Sequence, residues 1–256
     1  MAVSDENLPP ANAKKTRHRS RVLPGLALVV LLSSIGVVLL VVEYRSSTVD
    51  AVSQERKAPI ADFNETRTKA EQGDPNAQNL LGEVYLNGRG VRPDSKAAAE
   101  WITKSAMQNH APAQLNLGML YEAGQGVPVD YPRAAEWYRK AAEQGNATAQ
   151  YSLAVMYAYA RGVTHDDQQS LKWLTRAADQ GDRLAQYALG HRYISGTGVP
   201  QDLPEAFKWL SLAASQNIPD AATTMDEIKP KMKRDQIAEG RKRAEQFAPR
   251  KGSAAQ

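Results

Sequence analysis

The sequence predicts an all-α solenoid of four 36-residue helix–turn–helix units behind one membrane-spanning helix. Three observations carry this expectation. The four tryptophans of the chain, Trp101, Trp137, Trp173 and Trp209, lie 36 residues apart. Tyr85, Tyr121, Tyr157 and Tyr193 keep the same step, as do Ala77, Ala113, Ala149 and Ala185, each followed by a glutamine. Finally, Val22 to Val42 carry no charged residue. A fixed period between about 20 and 50 residues marks stacked supersecondary units, each burying its apolar face against its neighbours. The register is unbroken over residues 73–217 and divides into 73–108, 109–144, 145–180 and 181–217.

Taken in order, residues 1–21 form a polar tail in which Lys14, Lys15, Arg17, Arg19 and Arg21 cluster. Residues 22–42 follow as an apolar helix of roughly 31 Å, about the hydrocarbon thickness of a bilayer. The run exceeds the ~7–15-residue core of a cleaved signal, and no small-x-small site directly follows it, so a retained anchor is expected. The excess of Lys and Arg before the span predicts a cytoplasmic N-terminus, with the repeats on the extracytoplasmic side. For a bacterial source these are the inner membrane and the periplasm. Residues 43–58 read as a polar tether. Residues 59–72 read as a capping helix, with Glu65 where the tryptophan column would fall, as a polar solenoid end requires.

The second unit shows how each unit is built. Ala113, Leu117 and Tyr121 fall at i, i+4 and i+8 on one face of a first helix. Gly118 lies on that face at a cost in helix propensity, which points to close approach of a neighbour. Ala123-Gly124-Gln125-Gly126 ends the helix and supplies the positive φ of the turn. Asp130 suits the N-cap of a second helix, with Pro132 in its first turn. That helix presents Ala134, Trp137, Tyr138, Ala141 and Ala142 on one side, and Gly145 closes it. The Tyr and Trp columns are therefore assigned to the core. Trp137→Ala is expected to cost about 3–5 kcal/mol as a core aromatic.

These residues resemble the Sel-one-like repeat (SLR) family. The pattern is Ala113-Gln114-x-x-Leu117-Gly118-x-x-Tyr121-x-x-Gly124-x-Gly126-Val127-x-x-Asp130, continued by Ala134, Trp137-Tyr138, Lys140-Ala141-Ala142 and Gly145. The resemblance implies a right-handed, tetratricopeptide-like α-solenoid. The third unit departs most, with Ala154 and Ala160 in place of two glycines. Beyond the fourth unit, residues 218–248 read as capping helices: Ala221 and Met225 keep two columns, Pro230 stops a helix, and Ile237, Ala244 and Phe247 mark an apolar side of the last one. Residues 249–256 read as a disordered tail.

The chain has no cysteine, which excludes disulfides and thiolate zinc sites. The four histidines are isolated in sequence; a pair such as His165 and His191 across adjacent units could hold a metal, but exposed loop and groove histidines are expected. The Gly-x-Gly elements recur at helix ends and lack the strand and further glycine of a dinucleotide loop. No nucleophile elbow, phosphate loop or paired catalytic carboxylates stand out. A non-enzyme without cofactor or metal is expected. The net charge of +4 does not make the repeats basic. Residues 1–21 carry five Lys/Arg against two Asp/Glu, and residues 220–256 carry nine against six, which leaves a net −2 on residues 22–219. A nucleic-acid partner is not expected.

Partner binding is expected in columns that vary between units. Two such columns, four residues apart on the first helix, hold Asn79 and Glu83, then Leu115 and Met119, Tyr151 and Val155, and Tyr187 and His191. If this side is concave, the last three pairs line a groove for an extended or helical peptide. Otherwise these residues pack neighbouring first helices together. The function expected is a membrane-anchored scaffold that binds a protein or peptide. Alternatives are a structural subunit of a secretion or polysaccharide-export assembly and, less favoured, a cell-wall-acting enzyme.

Overall fold

The computed structural model describes residues 63–250. Among these are eleven α-helices and one 3₁₀ turn, with no strand. The expected membrane span 22–42, the tether 43–58, the start of the N-terminal capping helix and residues 251–256 lie outside the described residues. Among the described residues no helix is long and apolar enough to cross a membrane.

A capping helix α1 (Phe63–Glu71) precedes four helix pairs: α2 (Pro75–Asn87) with α3 (Ser95–Met107), α4 (Ala111–Ala123) with α5 (Tyr131–Glu143), α6 (Ala147–Ala158) with α7 (Asp167–Asp179), and α8 (Arg183–Ser195) with α9 (Leu203–Ser215). Then come α10 (Pro219–Ile228), the 3₁₀ turn Lys229–Lys231 and α11 (Arg234–Glu245). From α1 to α10 each helix packs on its neighbours in this series, and α11 folds back onto α9, which thus carries both α10 and α11. The chain is thus an all-helical solenoid.

Local chemistry sets the ends of these helices. Asp94, Asp130, Asp166 and Asp202 each stand in extended backbone and accept a backbone N–H from the first turn of α3, α5, α7 and α9. Asp74, Asn146 and Asp182 do the same for α2, α6 and α8. His110 breaks the series: its Nδ1 lies 3.0 Å from Ser105 Oγ and makes no cap. The turn after the first helix needs a left-handed residue. Gly124 supplies it at φ 69°, whereas Ala160 takes φ 52° in the third unit, so the loop keeps its course despite the added Cβ.

The core explains Gly118. A Cβ there would come within 2.7 Å of the Tyr138 ring, so the glycine gives α5 its close approach. Tyr138 is fully buried at 0% exposure, while Trp101 and Trp137 are only half-buried. Lys104 and Lys140 lie over the open faces of those two indoles at 4.0 Å. Trp173 and Trp209 are buried. The fully buried aromatic of the second unit is therefore Tyr138, and the cost of Trp137→Ala falls below that of a fully buried ring.

The paired glutamines are a second repeated device. Gln78, Gln114, Gln150 and Gln186 are buried at the starts of the first helices. Each donates through Nε2 to a carbonyl of the preceding unit or cap, from Ala70, Ala106, Ala142 and Ala178. Each accepts at Oε1 from a glutamine just past the second helix of its own unit. The donors Gln108, Gln144 and Gln180 sit at 2.7 Å and Gln216 at 2.9 Å.

The two ends differ from the units between them. On α1, Glu65 is exposed and pairs with Lys69 at 2.6 Å, while Phe63 sets its edge on Tyr85. At the other end Gly240 of α11 lets its backbone meet Phe207 and Pro204, and Phe247 stands edge-on to Trp209 at 5.4 Å. Arg243 ties α11 to the start of α9, reaching Asp202 at 3.3 Å, Glu205 at 3.0 Å and Glu239 at 2.8 Å. These carboxylates hold its guanidinium in the charged form. Within the segment read as a tail, the Arg250 amide donates to the Asp179 carbonyl at 2.8 Å and Pro249 lies against Gly181.

Two outcomes are expected from this architecture. Gln150→Ala leaves the Ala142 carbonyl and the Gln180 amide without their buried partner, and should cost about 1–3 kcal/mol in chemical denaturation. Asp182 supplies a pH dependence. Burial pushes its carboxyl up to about 6 despite the two N–H groups it accepts. The folded protein holds this proton more tightly than the unfolded chain, so raising the pH from about 4 through 6 withdraws stability. Asp182→Asn, the residue type found at Asn146, should raise the melting temperature at pH 7. That gain should vanish as the pH falls towards 4.

Candidate interaction surface

The first helices α2, α4, α6, α8 and, at the end, α10 succeed one another every 36 residues, so a residue on one has its counterpart on the next. Contacts between neighbours decide which columns stay open. Asn116 of α4 donates through Nδ2 to Asn79 Oδ1 at 2.9 Å and Glu83 Oε1 at 3.0 Å on α2. Asn79 is buried, and so are its counterparts Tyr151 and Tyr187, at 7% and 8% exposure. The Tyr187 ring stands edge-on to His191 at 4.6 Å. The column Asn79, Leu115, Tyr151, Tyr187 is thus largely the seam between successive first helices.

The column four residues on is different. Glu83, Val155 and His191 are half-buried and Met119 is 40% exposed. The sequence placed both columns on one side of the helix. The structure brings them together, but the next helix covers mainly the first. Leu115 is half-buried and lies with Met119 on α4. Sequence reasoning missed two residues on this side: Leu80, exposed on α2, and Glu227, exposed on α10. Glu227 was legible in the repeat, because it falls one period after His191.

The electrostatics of the surface follow its burial. Burial pushes the His191 imidazole towards its neutral form, against the charges of Glu227 and Asp220 on α10. Burial likewise raises the Tyr187 hydroxyl. Arg161 pairs with Glu122 at 3.8 Å, and Arg192 reaches Ser170 Oγ at 2.8 Å and Asp167 at 3.4 Å. His165 stands on an exposed loop 3.8 Å from Asp167, while His191 packs on Tyr187, so the two histidines have different neighbours. Among the described residues no three His, Cys, Asp or Glu side chains cluster as metal ligands.

A second concavity of about 430 Å³ opens between α5 and the loop after α6. Pro132, Glu136, Arg139, Tyr157 and His165 line it, and Arg139 donates to the Tyr157 hydroxyl at 3.1 Å. Its charges are of both signs.

The Sel1 repeat matches the chain four times, at residues 75–110, 111–146, 147–182 and 183–218. The chain belongs to the Sel1 repeat family. Each match begins at the first residue of a first helix. A protective antigen of uropathogenic Escherichia coli with an SLR fold is 33% identical to this Sel1 repeat protein, with a TM-score of 0.66 over 72% of this chain and 41% of its own. The chain therefore spans less than half the length of that antigen. A Sel1 repeat protein from Oxalobacter formigenes is 32% identical, with a TM-score of 0.59 over 68% of this chain and 71% of its own. No curated protein matches the chain. Sel1 repeats generally mediate protein–protein interaction, and their solenoids are typically non-catalytic scaffolds.

Because Tyr151 and Tyr187 fill a seam, truncating either should act through stability. Tyr187→Ala should cost about 2–4 kcal/mol by cavity formation. An unchanged thermal melt would place the ring outside the packed layer.

Proposed function

We propose that this Sel1 repeat protein is a non-enzymatic scaffold that captures a protein or peptide on its first-helix face, held at the membrane by residues 22–42 with the repeats on the extracytoplasmic side. The observation that carries the binding role is the column Glu83, Met119, Val155, His191. It runs across four successive units, and packing leaves it partly open while Asn79, Tyr151 and Tyr187 of the adjoining column are buried. The uncharged run from Val22 to Val42, with its five preceding Lys and Arg residues, supports the anchor and its orientation.

A photo-crosslinking amino acid at Met119 in the full-length protein, combined with protease treatment of intact and opened cells, tests both parts. The expected result is repeats shielded until the outer envelope is opened, and a discrete crosslinked partner. Repeats cleaved only when the cytoplasm is opened would reverse the topology. Protected repeats with no crosslink at Met119 would move the binding face elsewhere.

A further inference from the structure

The open column does not end with the fourth unit. Glu227 of α10 lies one 36-residue period after His191, at the equivalent position of the next first helix, and is exposed. At the other end, Glu83 accepts the amides of Asn79 and Asn116, both at 3.0 Å and both on Oε1. Neither Glu83 nor Glu227 pairs with a cation among the described residues, whereas nearby Asp226 is matched by Lys229 at 2.6 Å. The column therefore reads carboxylate, Met119, Val155, imidazole, carboxylate. Arg161, in the loop after α6, and Arg192 of α8 are already matched by Glu122 and Asp167.

From this pattern we infer that the column is a docking rail for an extended peptide segment with an apolar centre and a Lys or Arg at each end. The inference rests on the scaffold reading and names its partner class. Neighbouring helices pack about 8–10 Å apart, so four steps from Glu83 to Glu227 cover roughly 32–40 Å. An extended chain at ~3.3 Å per residue needs about 10–12 residues to span that distance. Met119 and Val155 supply the apolar contact at the middle. The terminal carboxylates fix register and exclude segments with acidic ends, since like charges across an interface cost affinity. The half-buried Glu83 is the stronger anchor, because its carboxylate is held in place by two amides.

The test is fluorescence anisotropy with the full-length protein in neutral detergent. The probe is a labelled synthetic peptide of about 12 residues, with a Lys pair at each end and alternating Leu and Ser between. Two matched controls carry Glu at the ends, or Ser throughout the centre. The Lys-ended apolar peptide should bind, and its affinity should fall as salt is added. The Glu83→Gln, Glu227→Gln double variant should bind about tenfold more weakly with an unchanged melt, because glutamine keeps the acceptor at Oε1. Met119→Ser should also weaken binding. Equal binding of the Glu-ended or the Ser-centred peptide would overturn the inference, as would full binding by the double variant. A second copy of the chain on the rail would appear as self-association that the same variants abolish, and would also overturn it. Failure of the peptide to bind with the Met119 crosslink retained would remove this partner class and leave the scaffold role standing.

Discussion

A glutamine buried between three helices sets the step from each unit to the next. In the third unit, Gln150 donates to the Ala142 carbonyl at the end of α5 and accepts from Gln180 just past α7. One side chain thus fixes a first helix, the second helix before it and the second helix after it. A buried amide left unpaired costs far more than a paired one contributes, so this geometry admits little slippage. The same bonds recur at Gln78, Gln114 and Gln186, at donor distances of 2.7, 2.7 and 2.9 Å. Apolar packing supplies the bulk of the stability, but it is non-directional. The glutamines supply the direction.

With the step fixed, the rest of the unit can vary. Gly118 receives the ring of Tyr138, while Gly82 and Gly190 receive Ile102 and Leu210. Ala154 occupies the same column, and the solenoid absorbs it. The seam between first helices changes from amides at Asn79 and Asn116 to the buried ring of Tyr187. A polar contact and an aromatic contact thus do the same job, because the neighbouring helices are already placed. What this freedom leaves is the outer edge of the first-helix layer, where side chains such as Met119 are only partly covered.

Much of this was legible in the sequence. The helix ends followed from Asp130 and its counterparts, because an aspartate in extended backbone offers an acceptor to N–H groups that would otherwise go unpaired. The close approach at Gly118 followed from a glycine in the middle of a helix. The site was less legible. Tyr151 and Val155 lie one helical turn apart, and a helical wheel gives them the same side. Only the position of the neighbouring helix separates a buried tyrosine from an open valine. The tryptophan column carried the period, yet Trp137 is half-covered and Tyr138 fills the core, since the direction of the second helix decides which of two adjacent residues points inward.

The sequence by itself determined the period, the helix boundaries, the capped ends and the membership in a repeat family. These depend on contacts within a few residues, or on the recurrence of one pattern, and both can be read along the chain. Only the tertiary structure decided which variable column is mostly covered by the next first helix and which is left partly open, and that α10 continues the series of first helices. Those are contacts between residues 36 or more apart, fixed by how one unit leans on the next, and the lean is set by buried amides whose partners the sequence does not name.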